Sequence, residues 1–172
     1  QAGAGGAARG PGPVSTGRPH VGFWGGSGSS PSAGKETADD GGNAAGVEVR
    51  VGKRIIILDA GSGIRRLGQS LMKEITADGL DVTMLISHTH WDHIQGFPFF
   101  VPAYHPKVNI RILGYEGAVH GLRGALFEQM QTAFFPVGLN QLATPPPFEE
   151  MDDIPFDLGA PSQGATILAN SP

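Results

Sequence analysis

Apolar positions change rhythm along this chain, and the rhythm predicts most of its elements. From Val47 to Val51 apolar and polar residues alternate, the period of a half-buried strand. Gly52-Lys53 reads as a hairpin turn, and Ile55-Ile56-Ile57-Leu58 is continuously apolar and mostly β-branched, as an interior strand should be. Asp59-Ala60-Gly61-Ser62-Gly63 breaks that strand. Ile64, Leu67, Leu71 and Ile75 then recur at helical spacing, with Arg65, Arg66, Lys73 and Glu74 elsewhere, so a helix ending at Asp78-Gly79 is expected. Val82 to Ile86 is a second buried strand, and Val108 to Leu113 alternates as a further strand. Val119, Leu122, Leu126 and Met130 mark another amphipathic helix, closed by Phe134-Phe135-Pro136. Thr144 to Pro147 reads as a proline-rich connection and Ala165 to Ala169 as a last strand. Upstream, His20 to Trp24 is a short strand, followed by a long Gly- and Ser-rich loop over residues 25–42, a length that points to function or mobility. There is no internal repeat. Strands with helices inserted between them predict a layered α/β architecture.

Composition refines this picture at the ends. Residues 1–18 hold one large aliphatic side chain, Val14, among Gly, Ala and Pro, too little apolar surface to offset ordering. They read as a disordered leader, with one domain over residues 19–172. Lys and Arg total 12 against 16 Asp and Glu, which argues against a broad basic face for duplex nucleic acid. The absence of Cys excludes disulfides, thiolate ligands and a Cys nucleophile. No apolar run reaches the ~20 residues that span a bilayer, and the N-terminus lacks the apolar core of a signal peptide. A cytoplasmic protein with no membrane partner is expected, and homo-oligomerisation is open.

The chemistry concentrates directly after the second buried strand, in Ser87-His88-Thr89-His90-Trp91-Asp92-His93. Imidazole and carboxylate together suit zinc, and also manganese or iron. His88 and His90 lie two apart at a strand end, where extended backbone points both rings to one side. Asp92 and His93 are adjacent, must lie where the chain turns, and can face a second metal beside the first. Two ions about 3.5 to 4 Å apart would polarise a substrate oxygen and activate a bridging water. Asp59, an acid at the end of a buried strand before a Gly-rich turn, is placed to orient a ligand His. Its alternative reading is an N-cap for the helix after Gly63. Trp91 packs under the loop or lines the pocket, with packing the default, and Phe97, Phe99 and Phe100 default to core. His105 and His120 read as surface residues, and His20 has no partner in the sequence.

Ser87 to His93 resembles the signature of the metallo-β-lactamase superfamily. Phe23-Trp24-Gly25, Gly28-Ser29 with Pro31, Gly41-Gly42-Asn43, Leu58 to Gly63, Gly96-Phe97-Pro98-Phe99-Phe100 and Phe134-Phe135-Pro136-Val137 resemble successive blocks of one of its branches. That branch holds phosphodiesterase-like hydrolases related to tRNA 3′-processing endonucleases and cyclic-phosphate phosphodiesterases. The resemblance implies an αββα sandwich, of which this chain covers the N-terminal half and somewhat more. It implies two divalent metal ions, zinc first, with His88 and His90 on one, Asp92 and His93 on the other, and Asp59 hydrogen-bonded beneath. Asp92 is then also the catalytic residue, and the substrate a small-molecule or nucleotide phosphodiester. An acyl-bond hydrolase (lactone, thioester or β-lactam) of the same fold is the alternative, and a non-catalytic interaction module a third. Two positions depart from the branch, Ser27 where it usually has Arg and Ala44-Ala45 where it usually has Thr-Ser. The tail from Gly164 to Pro172 resembles the strand before a third ligand His. The resemblance therefore implies that this His, a bridging Asp and a last His lie past Pro172, and that residues 1–172 alone bind metal weakly, hydrolyse little or nothing, dissolve poorly and expose an apolar sheet face.

Overall fold

β-branched runs and the turns between them build a sheet first. The computed structural model describes residues 19–28, 30–31, 42–115, 121–151, 156–157 and 166–167. The expected leader, most of the loop after residue 25, Val119 and His120 lie outside the described residues. Strands β1 (His20–Gly25), β2 (Gly46–Val51) and β3 (Arg54–Leu58) pair antiparallel in sequence order. The β2–β3 hairpin turns at Gly52, whose φ of 61° is accessible to glycine without a Cβ penalty. Strands β4 (Leu80–Ile86), β5 (Val108–Tyr115) and β6 (Phe148–Met151) continue the sheet in parallel, in the order β1-β2-β3-β4-β5-β6.

Parallel neighbours need crossovers. Helix α1 (Ile64–Leu71) joins β3 to β4. A one-turn helix α2 (Trp91–Ile94) and two 3-10 turns (Phe97–Phe99 and Val101–Tyr104) lie between β4 and β5. Helix α3 (Gly121–Gln129) precedes β6. The pairing register sets Ile55, Val82 and Ile110 in one row and Ile57, Met84 and Ile112 in the next, on one face of the sheet. Ile64, Leu67 and Leu71 of α1 and Leu122 and Leu126 of α3 close over that face in a single core. The molecule is thus a mixed α/β fold with both amphipathic helices on one face, compatible with the expected αββα sandwich. The opposite face exposes Val21, Phe23 and Leu58. Two short strands, β7 (Phe156–Asp157) and β8 (Thr166–Ile167), pair only with each other among the described residues, β8 falling within the expected last strand.

Three expectations need correction. The first helix stops at Leu71 rather than at Asp78-Gly79. The N–H groups of Lys73 and Glu74 turn to the carbonyls of Ser70 and Leu71, a 3-10 tightening of the end. Glu74 is held there by Arg50, with N···O distances of 2.6 and 2.9 Å. Ile75 still packs against the core from outside the helix, and Gly79, at φ 93°, makes a separate turn into β4. Likewise α3 ends at Gln129, and Phe134 to Pro136 belong to the turn that follows. Finally, β6 was not expected, because Phe-Glu-Glu-Met is short and does not alternate.

Candidate functional site

The chemistry-bearing residues meet at the carboxyl ends of β3 and β4. Because these strands are parallel neighbours, their last residues leave the sheet side by side, and the Asp59 N–H donates to the Leu85 carbonyl at 2.8 Å. Asp59 takes a φ of 60°, a left-handed conformation that Asp tolerates better than most residues with a side chain. Its Oδ1 accepts the Ser87 N–H and the Ser87 hydroxyl, each at 2.8 Å. Its Oδ2 lies 2.9 Å from His93 Nδ1. Asp59 is no helix cap: α1 starts after Gly63, with no side-chain cap bond.

Beyond Ile86 the chain runs out extended through His90 (φ −61°, ψ 148°) and then turns into α2. The turn carries His93 back to His88, their ring centroids 4.0 Å apart, while His88 and His90 meet edge to face at 4.5 Å. Asp92 Oδ2 stands 3.5 Å from His93 Nε2. All four residues of the expected ligand set are therefore gathered together, with Asp59 bonded to one of them.

Backbone contacts hold this loop in place. The Ala60 N–H donates to the His93 carbonyl at 2.7 Å, and the Gly96 N–H to the Ala60 carbonyl at 2.8 Å. The approach is close enough to demand glycine: a Cβ on Gly96 would lie 2.0 Å from the Gly61 carbonyl oxygen, and one on Gly61 2.3 Å from that of Asp92. The Ser62 hydroxyl accepts the Ala44 N–H at 2.9 Å and donates to Asn43 Oδ1 at 3.1 Å. The Ser27 N–H reaches the Asn43 carbonyl at 2.9 Å, so both departures from the resembled branch, at Ser27 and at Ala44-Ala45, share one loop contact next to the site.

Burial lowers the pKa of His88 below the usual imidazole range. The nearby His93 and His90 push the same way, and Asp59 and Asp92 only partly oppose them. The neutral ring, with one lone pair free, is the form that ligates a metal. The set fits a divalent ion in donor chemistry and in proximity. It does not close a coordination sphere: among the described residues no three His, Asp or Glu side chains are arranged to hold one ion.

Other expectations divide. Trp91 is 70% exposed rather than packed under the loop, since it opens α2 on its outer side. Phe97 and Phe100 are wholly buried, as core residues should be, whereas Phe99 is half exposed and meets Phe135 edge to face at 5.3 Å. His105 lies in a turn, where Nδ1 accepts the Lys107 N–H at 3.2 Å. His20 opens β1 opposite Arg50, at the end of the sheet away from the site. Among the described residues no helix is long and apolar enough to cross a membrane. Ser87, given no role in the sequence, also lies within hydrogen-bond distance of Asp59 and His88. It stood inside the motif as one more small polar residue, and only the parallel pairing of β3 with β4 sets it against Asp59.

No family model and no solved structure matches the chain. Two curated versions of the lactamase-like protein adaB, both from Aspergillus niger, are 34% identical to it over 65 residues, 37% of this chain and 20% of each relative. The chain thus spans about a fifth of the length of the relatives it matches. This partial likeness agrees with the superfamily-level resemblance of the motif and does not reach the choice of branch.

Proposed function

We propose that this chain carries the metal-binding motif of a metal-dependent hydrolase of the metallo-β-lactamase fold, with a phosphodiester as substrate. The observation that carries the reading is the gathering of His88, His90, Asp92 and His93 over Asp59 at the carboxyl ends of β3 and β4. Open sheets with parallel strands bind ligands at that end. In this reading His88 and His90 hold one divalent ion and Asp92 and His93 a second, zinc first, with manganese or iron as alternatives. When bound, such a pair supplies Lewis acidity to a substrate oxygen and to water. The chain's own part is to present the His88 imidazole in its neutral form, to hold His93 in place through Asp59, and to set the Asp92 carboxylate beside the reacting position. The choice of a phosphodiester draws on the resemblance of the blocks around Trp24, Gly61 and Phe97. A second reading, an acyl-bond hydrolase, draws on the lactamase-like name of the fungal relatives.

Turnover of bis-p-nitrophenyl phosphate, a chromogenic lactam and a thioester, with added zinc, separates the readings. In a version continued through the third His, bridging Asp and last His that the resemblance implies, phosphodiester cleavage that disappears in His88→Ala is the expected result. Cleavage of the lactam or thioester alone replaces the first reading with the second. Zinc binding by that version without turnover of any of the three makes the protein a metal-binding interaction module.

A further inference from the structure

Ser87 has one hydroxyl proton and several claimants for it. Its Oγ lies 2.8 and 3.0 Å from the two Asp59 oxygens, 3.0 Å from His88 Nδ1 and 3.5 Å from His93 Nδ1. A carboxylate only accepts, a hydroxyl donates once and accepts through two lone pairs, and a neutral imidazole nitrogen does one or the other. If the Ser87 proton went to His88, the hydroxyl lone pairs would face both oxygens of a carboxylate at hydrogen-bond distance. If it goes to Asp59, the bond is charge-assisted, roughly twice as strong as a neutral one, and Oγ keeps a lone pair for an N–H on His88 Nδ1. The Ser87 N–H, bound to the same Asp59 oxygen, fixes the residue in this position.

We propose that Ser87 is a positioning residue that, anchored on Asp59, holds the His88 proton on Nδ1 and leaves the ring's lone pair on Nε2. Asp59 does the same for His93 directly, through the 2.9 Å contact at Nδ1. One carboxylate thereby sets the proton of two imidazoles, one by contact and one through the serine, and both rings present the same nitrogen. Ligating histidines owe their orientation and basicity to such partners. Only the consequence for metal affinity rests on the function proposed above; the proton position belongs to the metal-free chain.

The test is long-range 1H–15N NMR of the metal-free protein with 15N-labelled histidine, at a pH above the imidazole range. In the wild type both His88 and His93 should be protonated on Nδ1. In Ser87→Ala, His88 should move to the Nε2–H form that free imidazole side chains favour, while His93 keeps its proton on Nδ1 and reports an intact Asp59 contact. Ser87→Thr, which retains the hydroxyl, should restore His88. Zinc affinity should fall on the order of 10-fold in Ser87→Ala and recover in Ser87→Thr. A wild-type His88 protonated on Nε2, or one indifferent to Ser87→Ala, overturns the proposal. If Ser87→Ala does not fold, the wild-type and Ser87→Thr spectra still decide it. Tautomers as stated in a chain that binds no zinc would sustain the role of Ser87 and remove the metal-dependent function.

Discussion

Asp59 combines a backbone strain with three hydrogen bonds, and the two effects can be separated by substitution. At φ 60° a residue with a Cβ is strained by roughly 1–2 kcal/mol, and glycine is not. Asp59→Ala keeps that strain and loses the contacts to Ser87 and His93; Asp59→Gly loses the same contacts and the strain. Both should lower zinc affinity by about 10- to 100-fold, read by competition with a chromophoric chelator. In urea unfolding the glycine variant should be the more stable by about 1 kcal/mol. Equal stabilities would mean that the left-handed backbone carries no cost here, and unchanged zinc affinity would mean that the carboxylate does not support the ligands. Asp59 was legible in the sequence because an acid between a buried strand and a Gly-rich turn has few structural uses. Ser87 was not, because its meaning depends on which strand lies next to β4.

Among the elements, the nesting of the turn after β3 against α2 does most to position the site. Gly96→Ala puts a Cβ 2.0 Å from the Gly61 carbonyl oxygen, a clash with backbone that cannot swing aside. Overpacking of this kind costs about 1–3 kcal/mol and should lower the urea midpoint and loosen the loop together. Gly26→Ala, where an added Cβ meets nothing within 4 Å, should leave the midpoint unchanged; a similar loss in both variants would refute the steric account. At the far side of the sheet, Arg111 on β5 hydrogen-bonds Glu149 on β6 at 2.5 and 2.6 Å and holds that carboxyl below its ordinary range, against a smaller opposing effect of burial. A folded pKa below the unfolded one adds stability at pH values above the unfolded value of about 4.3, stability that is lost as pH falls through the folded value. The pair is partly exposed, so the contribution should stay below about 1 kcal/mol. Glu149→Gln should therefore be slightly less stable than wild type at pH 7 and no less stable at pH 3. An equal deficit at both pH values would assign the effect to packing. Strands β2 to β5 were legible from alternation and β-branching. The helix ends were not, because α1 tightens into 3-10 turns after Leu71 while the apolar stripe continues to Ile75.

At the scale of the whole molecule, the sequence pattern predicted strands with helices between them, and the sheet order follows from connecting parallel strands by crossovers on one face. Strand β6 escaped because its pairing with β5 is long-range and its own four residues carry no strand period. The gathering of the ligand set could be foreseen from spacing for His88 and His90. For His93 it depended on the one-turn helix that carries the ring back to 4.0 Å from His88. The proposed function requires that cluster to be a divalent metal site. The most direct test is zinc titration of the purified chain, alongside His88→Ala and His93→Ala, with bound metal counted by mass spectrometry after equilibrium dialysis. Saturable binding by the wild type that weakens at least ~10-fold in each variant is the predicted result. Zinc bound equally by all three proteins, or by none of them, would contradict it.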